Sequence, residues 1–296
     1  MANLKEVRIR IASVKSTQQI TSAMKMVAAS KLRRAQNAIL QMRPYASKLK
    51  EILQNLSASL DAGDDASIYS QQRETSKVLI IAVSSNRGLC GAFNANVIKT
   101  TVNLLNTKYA AQHEQGNVAL MTIGKKVSEY FAKRKYNVIE KHDDIFDQLT
   151  FDNVSMIAED LMARFAGKEF DAIEIVYNQF KNAATQRLVV EQFLPVERVI
   201  DESAGTGEVK SDYIFEPSKV EIVRDLIPKS LKVQFYKALL DSFASEHGAR
   251  MTAMHQATDN AQELLKDLSL AYNKARQAAI TKEILEIVSG AEALKG

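Results

Sequence analysis

The chain has 296 residues, of which 46% are hydrophobic and 25% charged, with one cysteine, no tryptophan and a formal net charge of +4. This length and apolar content suit a folded protein with a substantial core and exclude an intrinsically disordered chain, and a single thiol excludes an internal disulfide framework. No apolar run approaches the roughly 20 residues that cross a bilayer, so the sequence predicts no direct membrane insertion.

Residues 1–60 are predicted to form one long helix. The first glycine of the chain is Gly63, and apolar residues recur at alternating steps of three and four over 4–60, a pattern typical of a coiled coil. The exceptions in this seam are polar: Gln18, Thr21 and Lys25. A helix of this length would extend for roughly 85 Å, more than one globular domain covers, so it needs a partner helix.

A second heptad series over 240–279 supplies that partner. Ile280, Ile284 and Ile287 then extend the apolar stripe with a shifted phase, and Ser289-Gly290 is predicted to end the helix. The terminal segments 1–60 and 217–296 are therefore predicted to form a long antiparallel coiled coil, with the rest of the chain as an insertion between them.

The insertion is predicted to be a Rossmann-like α/β domain over 76–196. Predicted strands cover 77–85, 118–124, 137–141, 172–180 and 187–195, and predicted helices cover 94–110, 125–135 and 153–165. Alternating strands and helices favour a mostly parallel sheet, and the polar turn at 181–184 makes the last two strands a hairpin. The segment 197–216, which contains the acidic run 201–212, is predicted to be a surface loop.

One turn rich in glycine could bind a phosphate. Gly88-Leu89-Cys90-Gly91 follows a predicted strand and precedes a predicted helix, where backbone N–H groups and the helix dipole attract anions. The turn matches neither the GxGxxG nor the Walker A pattern, so a tight strand-to-helix connection is the plainer interpretation.

The histidines and the cysteine do not form a recognisable catalytic pattern. The spacing of His113, His142, His247 and His255 indicates neither a dyad with Cys90 nor a metal cluster. The sequence therefore predicts no catalytic residue, no cofactor and no metal.

Residues 1–50 carry eleven Lys or Arg against one acid, Glu6. Such a segment can bind nucleic acid or act as an organellar transit peptide. The heptad seam through it favours the outside of a coiled coil that faces acidic protein surfaces, and no aromatic residue before Tyr45 could stack on bases. The open alternative is a coiled-coil protein whose Rossmann-like domain binds a nucleotide or nucleic acid.

Four blocks of the sequence resemble the gamma subunit of F-type ATP synthase: residues 20–36, 85–94, 244–261 and 272–291. In the last block, the positions of the family's C-terminal signature are occupied by Ile280, Thr281, Glu283, Glu286, Gly290 and Ala291. The similarity begins at Asn3, so we expect no transit peptide and a bacterial chain.

The resemblance implies a non-catalytic rotor. In that family the terminal helices lie along the axis of a hexamer of alpha and beta subunits, and the Rossmann-like domain contacts the epsilon subunit and the ring of membrane c subunits. Proton flow turns the ring and this shaft, whose faces drive the nucleotide sites of the beta subunits through their cycle. We therefore expect a peripheral location at the cytoplasmic face of the bacterial inner membrane, and no nucleic acid partner.

The resemblance also implies contacts with the beta subunits at matching positions: Met24, Lys25, Lys31, Arg33, Arg34, Arg250, Gln277, Thr281 and Glu283. The apolar tip beyond Ala279 is expected to lie in a hydrophobic sleeve of the hexamer. A shaft that turns freely also favours few large apolar groups on its outer face. Because Cys90 is the only cysteine, the thiol switch of the chloroplast form is not available to this chain.

Overall fold

The computed structural model describes residues 4–58, 68–71, 73–196 and 219–293. Its elements in chain order are α1 Leu4–Ala58, a short 3-10 helix Ile68–Ser70, β1 Val78–Val83, α2 Phe93–Asn106, α3 Ala110–Glu114, β2 Val118–Ile123, α4 Lys125–Lys133, β3 Val138–His142, α5 Phe151–Ala166, β4 Ala172–Phe180, β5 Gln186–Leu194 and α6 Lys219–Ala293. The chain divides into two compact units. The terminal unit contains residues up to Ala29 and from Arg250 onward, and the α/β unit contains Ser30–Ala249.

The sheet of the α/β unit has five strands in the order β3-β2-β1-β4-β5. β1 pairs in parallel with β2 and β4, β2 pairs in parallel with β3, and β5 runs antiparallel to β4. This is the order of a doubly wound sheet, in which the direction of winding reverses between β1 and β4. The predicted Rossmann-like sheet with a final hairpin is confirmed.

Helices cover both faces of this sheet. The strands β1 and β2 are continuous apolar runs that are buried along their whole length, as parallel strands between two helical layers must be. Alternate side chains of β1 point to opposite faces. Leu79 shares a buried cluster with Phe165 of α5 and Phe235 of α6. Ile80 shares the other cluster with Phe131 of α4.

The helix predicted over 94–110 was wrong at its end, because α2 ends at Asn106. The reason is a tertiary contact. The Tyr109 hydroxyl donates to the buried Glu174 carboxylate at 2.7 Å, and Lys108 pairs with the same oxygen. Burial, with this hydrogen bond, raises the pKa of Tyr109. Satisfying a carboxylate inside the sheet therefore draws the chain out of the helix.

The helix end predicted at Ser289-Gly290 was also wrong, because α6 continues to Ala293. Glycine inside a helix costs about 1 kcal/mol, which permits a helix to continue where its neighbours are good helix formers such as Ala291 and Ala293. The Ser289 hydroxyl donates to the backbone carbonyl of Leu285 at 2.8 Å, inside the helix.

The predicted loop 197–216 lies outside the described residues. The α/β unit contains, besides residues 76–196, the described parts of α1 from Ser30 and of α6 up to Ala249. The first part of α6 carries Ile227, Leu231 and Phe235 into the sheet's core. The predicted domain boundaries within the chain stay predictions.

Candidate functional site

In the terminal unit, the first part of α1 pairs with the last part of α6. Thr21 Oγ1 lies 2.9 Å from Thr258 Oγ1, and Arg8 donates to the Tyr272 hydroxyl at 2.8 Å. Arg8 precedes Thr21 in α1, whereas its partner Tyr272 follows Thr258 in α6. The two helices run antiparallel, and the predicted antiparallel coiled coil is confirmed.

The predicted seam positions of this unit are all buried or half-buried. On α1 they are Leu4, Val7, Ile11, Val14, Gln18, Thr21, Lys25 and Ala28. On α6 they are Met251, Met254, Thr258, Ala261, Leu265, Leu268, Tyr272, Ala275 and Ala279. The heptad pattern therefore identified the side chains along which the two helices pack.

The polar pair Thr21 and Thr258 is satisfied inside the seam. The Thr258 hydroxyl donates to the backbone carbonyl of Met254 at 2.7 Å, which leaves its oxygen free to accept. The Thr21 hydroxyl can then donate to Thr258 or to the carbonyl of Gln18, at 2.9 and 3.0 Å. A matched polar pair in an apolar seam favours one register of the helices over its neighbours.

The second cross-helix contact is electrostatic and exposed. The hydrogen bond from Arg8 raises the pKa of the Arg8 guanidinium and lowers the pKa of the Tyr272 hydroxyl, because it favours the charged form of both groups. The same guanidinium lies 5.7 Å from the centre of the Tyr272 ring. Solvent screens this contact, so it orients the helix pair more than it stabilises it.

The tip of α6 presents an apolar surface to solvent. Residues 280–293 are all exposed, and Leu285 and Ile287 have 63% and 70% of their surface accessible. Ile280, Ile284 and Val288 are each about half exposed. A contiguous group of exposed large apolar side chains is typical of a surface that binds another protein.

Large apolar groups also lie on the outer face of α1. Ile9, Ile20, Met26 and Val27 are each more than half exposed. The expectation of few such groups on the outer face was therefore wrong. Arg10 and Lys15 are exposed on the same stretch of α1, so its surface offers both apolar and cationic groups to a partner.

The nine predicted contact residues lie in three kinds of environment. Half-buried on α1 are Met24 and Lys25. Exposed are Lys31, Arg33 and Arg34 on α1, and Gln277, Thr281 and Glu283 on α6. Arg250 on α6 is only 8% exposed. The Thr281 hydroxyl donates to the backbone carbonyl of Gln277 at 2.9 Å, so these two lie on the same face of the helix.

The glycine turn after β1 is closed by its own side chains. Leu89 and Gly91 both have positive φ, of 62° and 60°, which makes the tight reversal into α2. Cys90 is buried, and its sulfur accepts a hydrogen bond from the Asn94 amide at 3.2 Å. The Asn94 carbonyl oxygen in turn accepts from the backbone N–H of Ser85 at 3.0 Å. This network fits the interpretation as a tight strand-to-helix connection.

The amino end of α4, beside that turn, is capped by protein groups. The N–H of Lys125 donates to the Asn86 side chain at 3.0 Å, and the N–H of Val127 donates to the Ser84 hydroxyl at 3.1 Å. A phosphate at a helix amino end needs such N–H groups. Asn86 and Ser84 therefore occupy two of the N–H groups that a phosphate at the amino end of α4 would need.

The four histidines have separate neighbours. His113 stacks on Tyr136, His142 lies 2.8 Å from Glu140, His247 packs edge-on against Phe243, and His255 lies 3.1 Å from Asp259. Within residues 4–58, 68–71, 73–196 and 219–293, no group of three or more His, Cys, Asp or Glu could hold a metal ion. In the same part of the chain, no helix combines the length and the apolarity that a membrane span requires.

Sequence reasoning missed a buried polar band on α6. Asp241, Ser242, Ser245, Glu246 and His247 are all buried. The Ser245 hydroxyl donates to the backbone carbonyl of Asn178 in β4 at 3.0 Å, so this band fastens α6 to the sheet. The available signal was the group of polar residues within an otherwise apolar helix segment. A heptad count does not detect such a group.

Comparison with known proteins gives a consistent result over the whole chain. The sequence model of one protein family, described as ATP synthase, matches residues 3–294. A protein called ATP synthase gamma chain from Christiangramia forsetii is 59% identical over 297 residues, and its counterpart from Flavobacterium psychrophilum is 61% identical over the same length. Each alignment covers 100% of both chains.

Solved structures show the same fold. A chain in the structure of the Euglena gracilis mitochondrial ATP synthase, OSCP/F1/c-ring, in rotational state 3 has a TM-score of 0.68 with this one. The match covers 98% of this chain and 94% of that chain at 21% sequence identity. The likeness at this identity concerns the arrangement of helices and strands.

Proposed function

Because the chain belongs to the family of ATP synthase gamma chains, we infer that it is the central-stalk rotor subunit of an ATP synthase. It is a non-catalytic subunit, and the chemistry is carried out by the beta subunits. Its role is to couple rotation to the conformational cycle of those catalytic sites during ATP synthesis or hydrolysis. The observation that carries this inference is the terminal unit: an antiparallel helix pair with a packed seam and an exposed apolar tip.

A rotor needs a shaft that resists twisting. Most seam side chains of the terminal unit are apolar, and Ala28 and Met254 have only 2% and 4% of their surface exposed. Interlocked seam residues make each helix brace the other, so torque applied to one is shared by both. The Thr21–Thr258 pair opposes sliding of one helix along the other.

We propose that the apolar tip of α6 lies in an apolar sleeve formed by the alpha and beta subunits. Fully burying a side chain such as Ile284, Leu285 or Ile287 is worth about 1.5–3 kcal/mol. Aliphatic side chains form no directional bonds, so a sleeve that covers them can hold the tip in place at every angle of rotation.

We propose that the basic segment of α1 faces acidic surfaces of the beta subunits. Lys31, Arg33 and Arg34 are exposed, and residues 1–50 contain only one acid to compete for them. Charge pairs that form and break in water cost little to separate, which suits a surface that moves past its partner. Met24 and Lys25 are proposed as half-buried members of the same contact.

On α6, the proposed contacts with the beta subunits are Gln277, Thr281 and Glu283, all exposed, together with Arg250. Arg250 is the least accessible member of the set at 8% exposure. We propose that it acts through the small part of its side chain that reaches the surface. The Rossmann-like domain is proposed to meet the epsilon subunit and the c-subunit ring, at the cytoplasmic face of the bacterial inner membrane.

The test is a native pull-down of the tagged chain from its own cells. The unmodified chain is expected to retain alpha and beta subunits at about 0.15 M salt, where exposed charges are screened beyond about 8 Å. A double variant, Arg33→Gln with Arg34→Gln, is expected to release them at lower salt, since two exposed ion pairs worth about 0.2–1 kcal/mol each are lost.

The matched control removes two exposed lysines of the α/β unit, Lys99→Gln with Lys133→Gln, and is expected to behave like the unmodified chain. Equal losses in both double variants would reject the basic segment as a contact. Recovery of the tagged chain without alpha and beta subunits, or with duplex DNA that stays bound at the same salt, would contradict the rotor assignment itself.

A further inference from the structure

A cavity of about 520 Å³ opens in the α/β unit at the amino ends of β2 and β3. Its lining includes Leu105, His113, Leu120, Arg134, Lys135 and Tyr136. Three of the lining side chains are basic and none is acidic. The Gly88–Gly91 turn follows the carboxyl end of β1, and β1 is parallel to β2. The cavity and this turn therefore lie at opposite ends of the strands.

The two strong cations that line the cavity, Arg134 and Lys135, are both exposed residues. The Arg134 guanidinium lies 3.7 Å from the centre of the Tyr130 ring, which fixes its plane. Lys135 has φ of 59° in the turn that ends α4, where its N–H donates to the carbonyl of Ala132 at 3.1 Å. Within the described part of the chain, neither cation has a carboxylate at ion-pair distance.

The remaining wall and the floor of the cavity are aromatic and apolar. The Tyr136 ring stacks on His113, with centroids 6.0 Å apart and planes 12° from parallel, and its orientation is fixed by an edge contact with Phe131. Leu105 and Leu120 are each only 1% exposed and form part of the floor. A ligand here could therefore pack a flat or apolar body beside its anionic group.

We propose that this cavity binds a small organic phosphate, with the phosphate between Arg134 and Lys135 and an aromatic ring against Tyr136. Arginine and lysine are the side chains that best recognise phosphate oxygens. The volume lies within the range of about 300–1,000 Å³ found for small-molecule sites, which exceeds what a bare phosphate fills. A nucleoside monophosphate has the required combination of ring and charge.

This proposal does not depend on the rotor assignment. None of its residues belongs to the proposed contacts with the beta subunits, and the cavity lies wholly within the α/β unit. A ligand bound here would stabilise the folded α/β unit, and this stabilisation would increase with the ligand's concentration.

The experiment is equilibrium dialysis of the purified full-length chain with radiolabelled AMP, with inorganic phosphate and adenosine as competitors. Saturable binding at one site per chain is expected. Arg134→Gln and Lys135→Asn are each expected to weaken it about tenfold or more, because each removes a charge-assisted contact. Asparagine is chosen at 135 because it tolerates positive φ.

The control is Lys133→Gln, which removes a neighbouring exposed cation of α4 that does not line the cavity. Its affinity is expected to stay within about twofold of the unmodified chain, with far-UV circular dichroism unchanged in all three variants. If either Arg134→Gln or Lys135→Asn unfolds, the affinity of the other variant for AMP still tests the proposal. Absence of saturable binding, an equal loss in Lys133→Gln, or competition by adenosine or phosphate as strong as that by AMP would overturn the proposal.

Discussion

Gly124→Ala is expected to destabilise the α/β unit by about 3 kcal/mol. Gly124 joins β2 to α4 with φ of 96°, a conformation that side chains rarely adopt. A methyl group there would stand 2.3 Å from the backbone oxygen of Ser84 and 2.8 Å from its carbonyl carbon. The Ser84 backbone is tied to β2, because its N–H donates to the carbonyl of Ile123 at 2.8 Å.

Hydrogen–deuterium exchange of the full chain measures this effect at the strands concerned. The amides of β1 and β2 are expected to exchange about 100-fold faster in Gly124→Ala. The matched control is Gly116→Ala, where φ is 76° but the added methyl would meet nothing within 4 Å. That variant carries the backbone cost alone, about 1 kcal/mol, so equal exchange in the two variants would refute the clash with Ser84.

Met254→Ala is expected to loosen the helix pair of the terminal unit by about 2–3 kcal/mol. Met254 is 4% exposed in the seam, and truncating a buried methionine removes its contacts and leaves a cavity. A helix pair has no second layer that could close around the gap. The shaft should therefore become less stable along the length that has to transmit torque.

Exchange of the α6 amides around residues 255–275 reports this change, with rates expected to rise roughly 30- to 150-fold. The same substitution at Met26, which is 66% exposed on α1, supplies the control and is expected to change these rates less than about threefold. Similar rates in both variants would mean that seam packing does not hold the helices together.

The seven-residue repeat of apolar residues was enough to predict the helix pair. The alternation of strands and helices was enough to predict the α/β domain. The seam positions from Leu4 to Ala28 were identified because a helix pair has one interface, and every residue in that interface obeys one repeat. The sheet was predicted because β1 and β2 are continuous apolar runs, which occur where both faces are covered.

Element ends were less predictable, because they depend on contacts between distant residues. The sequence near Asn106 does not indicate that Tyr109 will bind the buried carboxylate of Glu174, a contact that ends α2 early. The burial of Arg250 was also not predicted, because a heptad count does not distinguish a side chain at the edge of the seam from one in solvent.

The cavity beside Arg134 and Lys135 could not be predicted for the same reason. His113 and Tyr136 belong to separate connections, one leading into β2 and the other into β3, and only the parallel pairing of these strands brings the two rings together. The exposed apolar groups of α1, such as Ile20 and Met26, were not predicted either, because they lie outside the heptad seam that the pattern identifies.

Rotation of this chain within the complex can be observed with an optical probe attached to it. Cys90 is the sole cysteine and is buried, so a cysteine introduced at the exposed position Lys99→Cys gives one attachment point for an optical probe. In an immobilised complex with alpha and beta subunits, ATP is expected to drive the probe through full turns in one direction. A probe that stays at a fixed angle while the complex hydrolyses ATP would contradict this expectation.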